Sequence, residues 1–294
     1  MSDTEGFDLA QLNVWGDELE FAVDRARIVA YAEATNDPIR HHLDGVYAPP
    51  VFAVVPPFGL MAERTMSVVP DELMMKILHG EHDFRFHRPI SPGETLTSRA
   101  KVVGIHGKSS GVTVTTLIEC RGERGDLVNE QYFVGFFRGG TFDGGRGEPS
   151  PEHALDESVR AREPAAQVVQ KYDEDQTFRY SEAAGDPMPI HLDDEFARLM
   201  GLPGIIVHGL CTMAFTSHAV IGHVLPGDPS RLKRLAVRFS APAQPRHTIT
   251  TSIWSTGVRP SGAGGQARET YAFETVTDEG KTVIKDGLAE FGPF

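Results

Sequence analysis

Two cysteines in 294 residues, far apart at Cys120 and Cys211, are too few for a disulfide framework, so a reducing compartment suffices for this chain. Basic residues are also scarce. Lys and Arg number 28 against 41 Asp and Glu, a formal charge of −13, and nowhere do they cluster into the phosphate-tracking surface that a nucleic-acid partner needs. No apolar run approaches the ~18 residues of a membrane span, and the opening MSDTEGFDLAQLN has neither a basic n-region nor an apolar stretch behind it. The expectation is a cytoplasmic protein with no membrane span. The length and the 40% hydrophobic content, by contrast, allow two ordinary domains with real cores.

An internal repeat organises the chain. YAEATNDPIRHHLD from Tyr31 aligns without a gap on YSEAAGDPMPIHLD from Tyr180, and Tyr31, Asp37, Pro38, His42, Leu43 and Asp44 each find the same residue in the second copy. Further on, RFHRPISPGETLT from Arg85 matches RFSAPAQPRHTIT from Arg238. Two copies of one domain are the economical explanation. Each copy reads as an extended lead-in, an Asp/His segment, an apolar helix and several strands. ETLTSRAKVVG, GVTVTTLIECRG and DLVNEQYFVGFFRG alternate or run apolar in the first copy, as do HTITTSIWSTG, ETYAFETVTDEG and KTVIKDGLAEFG in the second. An α+β domain follows, a sheet wrapping one apolar helix. The expected boundaries are 1–138 for the first repeat, 139–165 for a Gly-, Pro- and charge-rich linker, and 166–294 for the second repeat. The Gly-rich RPSGAGGQARE near 259–269 reads as a strand connection, because a phosphate loop would precede a helix and carry GK[ST].

Chemistry concentrates in the second copy. Asp186 and His191 are separated by Pro187 and Pro189, which bar a helix interior and set the two side chains on a stiff, non-helical segment. LDDEFARLMG then reads as a short amphipathic helix closed by Gly201, and a second helix begins near His208-Gly209. A carboxyl and an imidazole can exchange protons at neutral pH, given burial that tunes them. The amide of Gly209, at a helix start and with no side chain in the way, can hold an oxyanion.

Tyr180, Gly185-Asp186, Pro189-Ile190-His191 and His208-Gly209-Leu210-Cys211-Thr212 resemble the signature of the MaoC-like, (R)-specific type 2 enoyl-CoA hydratases, G-D-x-N-P-[LIV]-H followed by an HGLCT-like turn. The resemblance implies a hotdog fold, here a double hotdog, and a hydro-lyase of fatty acid metabolism that hydrates trans-2-enoyl thioesters of CoA or acyl carrier protein to (R)-3-hydroxyacyl thioesters. It assigns catalysis to Asp186, His191 and Gly209 and substrate binding to Tyr180, Gly185, His208 and Leu210, with no cofactor and no metal. Met188 departs from the family's Asn, and a thioether cannot replace the hydrogen bonds of an amide.

The first copy differs where it matters. It lacks the short helix after its histidine, has Asn36 at the position of Gly185, and carries Pro49-Pro50 and Pro56-Pro57 where the apolar helix should begin. It is expected to supply space for an acyl tail, while the second copy keeps the chemistry. Asp37 and His42 retain the spacing and are candidates for a second site; the bland alternative is a turn-capping carboxylate and a hydrogen-bonded histidine. His79, His82 and His87 lie close in sequence, but their spacing fits no established metal motif. A non-catalytic acyl-thioester-binding subunit and a hotdog thioesterase are the competing functions, and exposed sheet edges leave room for a homodimer.

Overall fold

A computed structural model describes residues 6–225, 229–260 and 267–293. The first half comprises β1 (Leu19–Ala22), α1 (Arg25–Ala34), α2 (Arg40–Leu43), a 3-10 turn over Pro50–Val54, α3 (Phe58–Met66), α4 (Asp71–Met74), β2 (Ile77–Phe86), β3 (Thr95–Lys108), β4 (Gly111–Arg121) and β5 (Leu127–Arg138). β6 (Gly145–Gly147) and α5 (Glu157–Arg160) follow. The second half holds β7 (Ala166–Lys171), α6 (Gln176–Ala184), a 3-10 turn over Pro189–His191, α7 (Asp194–Leu199), α8 (Gly209–Val224), β8 (Leu232–Phe239), β9 (Thr248–Pro260), β10 (Ala267–Thr277) and β11 (Thr282–Phe291).

The strands form one antiparallel sheet in the order β1-β3-β4-β5-β2-β8-β11-β10-β9-β7, with β6 beside β3. The second half repeats the strand order of the first in mirror sequence, and the halves meet where β2 pairs with β8. In that pairing Glu81 faces Arg238, Asp83 faces Ala236 and Arg85 faces Arg234, a register symmetric about Asp83/Ala236. The repeat therefore builds a double hotdog around a pseudo-twofold axis. One hydrophobic cluster runs through both halves, from Val23 and Phe52 to Phe215 and Phe291. α8 is buried at every residue from Leu210 to Ile221, as befits a helix apolar on all sides. Its first-half counterpart is broken into a 3-10 turn and α3 by the two proline pairs, as their missing N–H groups require.

Two expectations need correction. An extended strand does lead into each half, β1 in the first and β7 in the second, but a helix then intervenes before the Asp/His segment: Tyr31 lies in α1 and Tyr180 in α6. Their hydroxyls meet at 3.4 Å across the pseudo-axis, 149 residues apart in the chain. The segment 139–165 also does more than connect. β6 pairs with β3, Arg160 binds Glu274 at 2.8 Å, Trp254 Nε1–H donates to Arg162 O, and Leu155 packs with Trp254 and Ala272. The central part of the Gly-rich stretch, 261–266, lies outside the described residues.

Candidate active site

α6 ends on Gly185, whose φ of +76° is left-handed and suits glycine; a Cβ there would sit 3.4 Å from Arg27 Nη2. The turn delivers Asp186 into Pro187–Pro189, and its Oδ1 accepts the Met188 N–H at 3.2 Å. Met188 thus contributes its backbone, while its side chain is 47% exposed. His191 closes the 3-10 turn over Pro189–His191, so the segment is rigid as expected, though helical for one turn. α7 covers it, with Asp193 capping the Phe196 N–H.

Hydrogen bonds to backbone carbonyls fix both tautomers here, since a carbonyl only accepts. His191 Nδ1–H donates to Ile206 O at 2.7 Å, which leaves Nε2 with a free lone pair. His208 Nε2–H donates to Asp186 O at 3.3 Å, and its Nδ1 is buried with no protein partner. The two imidazoles stack, centroids 3.7 Å apart and planes within 24°, and the Tyr180 ring lies 4.8 Å from His208. One donor atom each of Asp186, His191 and His208 falls within 4.8 Å of the others. A metal would have to lie in both ring planes at once. Stacked rings keep those planes nearly parallel, so this arrangement suits a water between carboxylate and imidazole far better than a common ion.

Burial sets the electrostatics. It raises the Asp186 carboxyl above its ordinary range, against the opposing pull of His191 and the Met188 amide. It lowers His191, against the Ile206 carbonyl and Asp186. His208 is pushed down to about 2 by burial and by His191, so it is a neutral hydrogen-bonding group at any working pH. Tyr180, raised by burial, stays protonated. His208 is also the N-cap of α8, which places the Gly209 N–H first in the helix, where such donors have no intrahelical partner. Leu210 is buried in the core behind it.

The first half assembles the same residue types differently. Asp37 Oδ2 accepts directly from His42 Nδ1–H at 2.6 Å and lies 3.1 Å from Nε2 of His218, a residue of α8 that the sequence reading missed in its apolar run. All three are buried, and Asp37 Oδ1 takes the Ile39 N–H. The counterpart of Gly209 is Pro50. Pro49 (φ −53°, ψ 144°) repeats the cap geometry of His208 (φ −55°, ψ 136°), and Ala48 N–H donates to Ile90 O as Val207 N–H donates to Ala243 O. Proline has no N–H to offer. His79 and His82 of β2 and His87 just beyond it do not converge: His79 and His82 touch at 3.2 Å, whereas His87 pairs with Glu130.

Residues 152–276 match the MaoC like domain and residues 39–139 the MFE-2 hydratase 2 N-terminal domain. A 3-hydroxyacyl-thioester dehydratase Y from Mycobacterium tuberculosis is 31% identical over 82% of this chain and 81% of its own length. A probable enoyl-CoA hydratase 2 from Dictyostelium discoideum is 28% identical over 94% of this chain and 93% of its own. The peroxisomal multifunctional enzyme type 2 of Drosophila melanogaster is 30% identical over 81% of this chain, which spans only 40% of that longer protein. Among solved structures, a MaoC-like dehydratase from Phytophthora capsici superposes with a TM-score of 0.81 at 26% identity, covering 98% of this chain and 99% of that one. A double-hotdog protein from Mycobacterium tuberculosis shares the fold at 15% identity, with a TM-score of 0.60 over 94% of each chain.

Proposed function

The chain belongs to the MaoC-like dehydratase family, and from that membership we propose that it is a hydro-lyase, reversibly adding water across trans-2-enoyl thioesters to give (R)-3-hydroxyacyl thioesters. The observation that carries this reading is the gap between Asp186 and His191. They face each other without touching, which leaves a place for one water, while the same pair in the first half is closed on itself.

The thioester carbonyl accepts the Gly209 N–H at the start of the 16-residue α8, where unpaired amides and the helix dipole favour the charge that develops as the enolate forms. Water bound between Asp186 and the free Nε2 of His191 loses a proton to the pair as its oxygen bonds to C3. The pair returns a proton to C2, so nothing is consumed but water. His208 holds the His191 ring by stacking and carries the amide of Gly209 next to it. Asp186, His191 and Gly209 are the catalytic set. Tyr180, Gly185, His208 and Leu210 shape the site around the substrate.

In this proposal 1–138 is the acyl-accommodating repeat, 139–165 the connection and 166–294 the catalytic repeat. Two free, buried thiols suit a cytoplasmic setting, and the carrier is CoA or acyl carrier protein. The test is the enoyl-thioester absorbance with crotonyl-CoA and longer enoyl-CoAs. Absorbance must fall with the thioester intact. Release of free CoA would make the protein a thioesterase, and binding without turnover would make it an acyl-thioester-binding subunit.

A further inference from the structure

The offset that sets Arg85 on Arg238 in the repeat also sets Phe86 on Phe239, His82 on Leu235 and His79 on Leu232. In the first half Pro50, Phe86 and Leu232 line one cavity. Their counterparts in and around the second half also meet. A Cβ on Gly209 would lie 3.1–3.5 Å from the Phe239 ring, and that ring lies 4.6 Å from the ring of His79. β2 of the first half thus brings an imidazole to the wall of the second half's helix start, where β8 brings a leucine to the first half in return.

A hydrogen-bond chain holds that imidazole. Gln131 Nε2–H donates to Ala53 O at 2.6 Å and to Asn129 Oδ1 at 3.0 Å, which leaves Gln131 Oε1 as the acceptor. His82 Nε2–H donates to that oxygen at 3.2 Å, so its Nδ1 carries the lone pair and takes His79 Nε2–H, also at 3.2 Å. Burial pushes His82 down to about 3 and, with His82 beside it, puts His79 well below its ordinary value. Both rings are therefore neutral at working pH and the order of donors is fixed. Leu232 and Leu235 are buried at the matching positions with no polar atom to satisfy, so packing alone does not call for two histidines.

We propose that His79 is a positioning residue for the oxyanion site: the chain from Ala53 fixes its ring, the ring fixes Phe239, and Phe239 fixes the amide of Gly209. This rests on the hydratase reading and on Gly209 as the oxyanion donor. Such a donor acts through its placement, and a shift of about 1 Å costs up to ~100-fold in rate.

His79→Leu installs the residue that the matching position already carries. With crotonyl-CoA it should lower kcat at least ~10-fold and leave KM within about twofold, because the ring acts on a donor used in the transition state. The deciding measurement is a double-mutant cycle with Gly209→Pro, which removes the amide. With no amide left to place, His79→Leu must have no further effect on kcat. A loss that multiplies through in the double variant overturns the proposal, since the histidine then acts elsewhere or only on folding. A Gly209→Pro chain with the parent kcat overturns it too. Phe239→Leu leaves the chain intact and breaks the next contact, so it must show the same loss and the same cycle even if His79→Leu fails to fold; parent-like kcat in a folded Phe239→Leu chain is equally fatal. His82→Leu keeps the His79 ring but removes its acceptor, and in proton–nitrogen correlation spectra it must move the Gly209 amide peak. An unmoved peak refutes the chain. A parent that does not hydrate crotonyl-CoA or longer enoyl-CoAs refutes the proposed function, and the amide peak then still decides whether the chain positions Gly209.

Discussion

Replacing Gly209 by proline deletes one hydrogen atom that matters, and the molecule already shows that the backbone accepts it. Pro50 occupies the same position in the first half, after a residue of the same conformation, and ψ of 136° at His208 suits a following proline. Proline in the first turn costs no intrahelical hydrogen bond. The steric charge is small as well: a Cβ on residue 209 would lie 3.1–3.5 Å from the Phe239 ring, whose atoms must give by a few tenths of an ångström. Gly209→Ala carries that same Cβ but keeps the N–H, so it measures the crowding alone. Losing one oxyanion donor costs ~100- to 1000-fold in kcat, ~2.7–4 kcal/mol. The expected result with crotonyl-CoA is therefore a Gly209→Ala variant within a few-fold of the parent and a Gly209→Pro variant at least ~100-fold below Gly209→Ala, both melting within about 5 °C of the parent. A folded Gly209→Pro chain within tenfold of Gly209→Ala would refute the placement of the oxyanion.

Asp186→Asn and His191→Ala should each lower hydration at least ~100-fold, the scale of a lost general acid or base, measured by enoyl absorbance. The two repeats should differ in the sign of their carboxylates' effect on stability. Burial raises Asp186, so its charge opposes folding above the carboxyl's unfolded value of ~3.9; Asp186→Asn should raise Tm at pH 7, with the gain vanishing below pH ~4. Burial would raise Asp37 too, but His218 and His42 together hold it well below the usual carboxylate range, so its charge supports folding above ~3.9 and that support is lost as the pH falls. Asp37→Asn should cost about 3 kcal/mol at pH 7, read by denaturant unfolding, and progressively less in acid. Finally, the acid limb of kcat/KM should fall at a pH above the ordinary carboxyl value of ~3.9, following the raised Asp186, and Asp186→Asn should remove it.

The repeat was legible because its marks are local: Tyr, Asp, Pro and His recur at one spacing, and prolines announce where a helix cannot run. The helices α1 and α6 were not, because their buried faces rest partly on alanines, such as Ala32 and Ala183, which blur the contrast that periodicity needs. Asp186 and His191 were found from a motif, yet the feature that separates them from Asp37 and His42 is a gap of a few ångströms, which no spacing encodes. His218 shows the same limit. It sits among apolar residues of α8, and only the docking of one half on the other brings it to Asp37. Pro50, by contrast, stood in plain view, and its meaning emerged once superposed caps set it opposite Gly209.

The register about Asp83 and Ala236 makes incorrect assembly self-limiting. Were two first halves from different chains to join through β2, Asp83 would meet a second Asp83 with neither Arg234 nearby; two second halves joined through β8 would oppose Arg234 to Arg238 without Glu81 or Asp83. Only the unlike union sets Arg234 against Asp83 and Arg238 against Glu81. The two halves thereby recognise each other's differences, and cutting the polypeptide between residues 139 and 165 should still return them to one heterodimer.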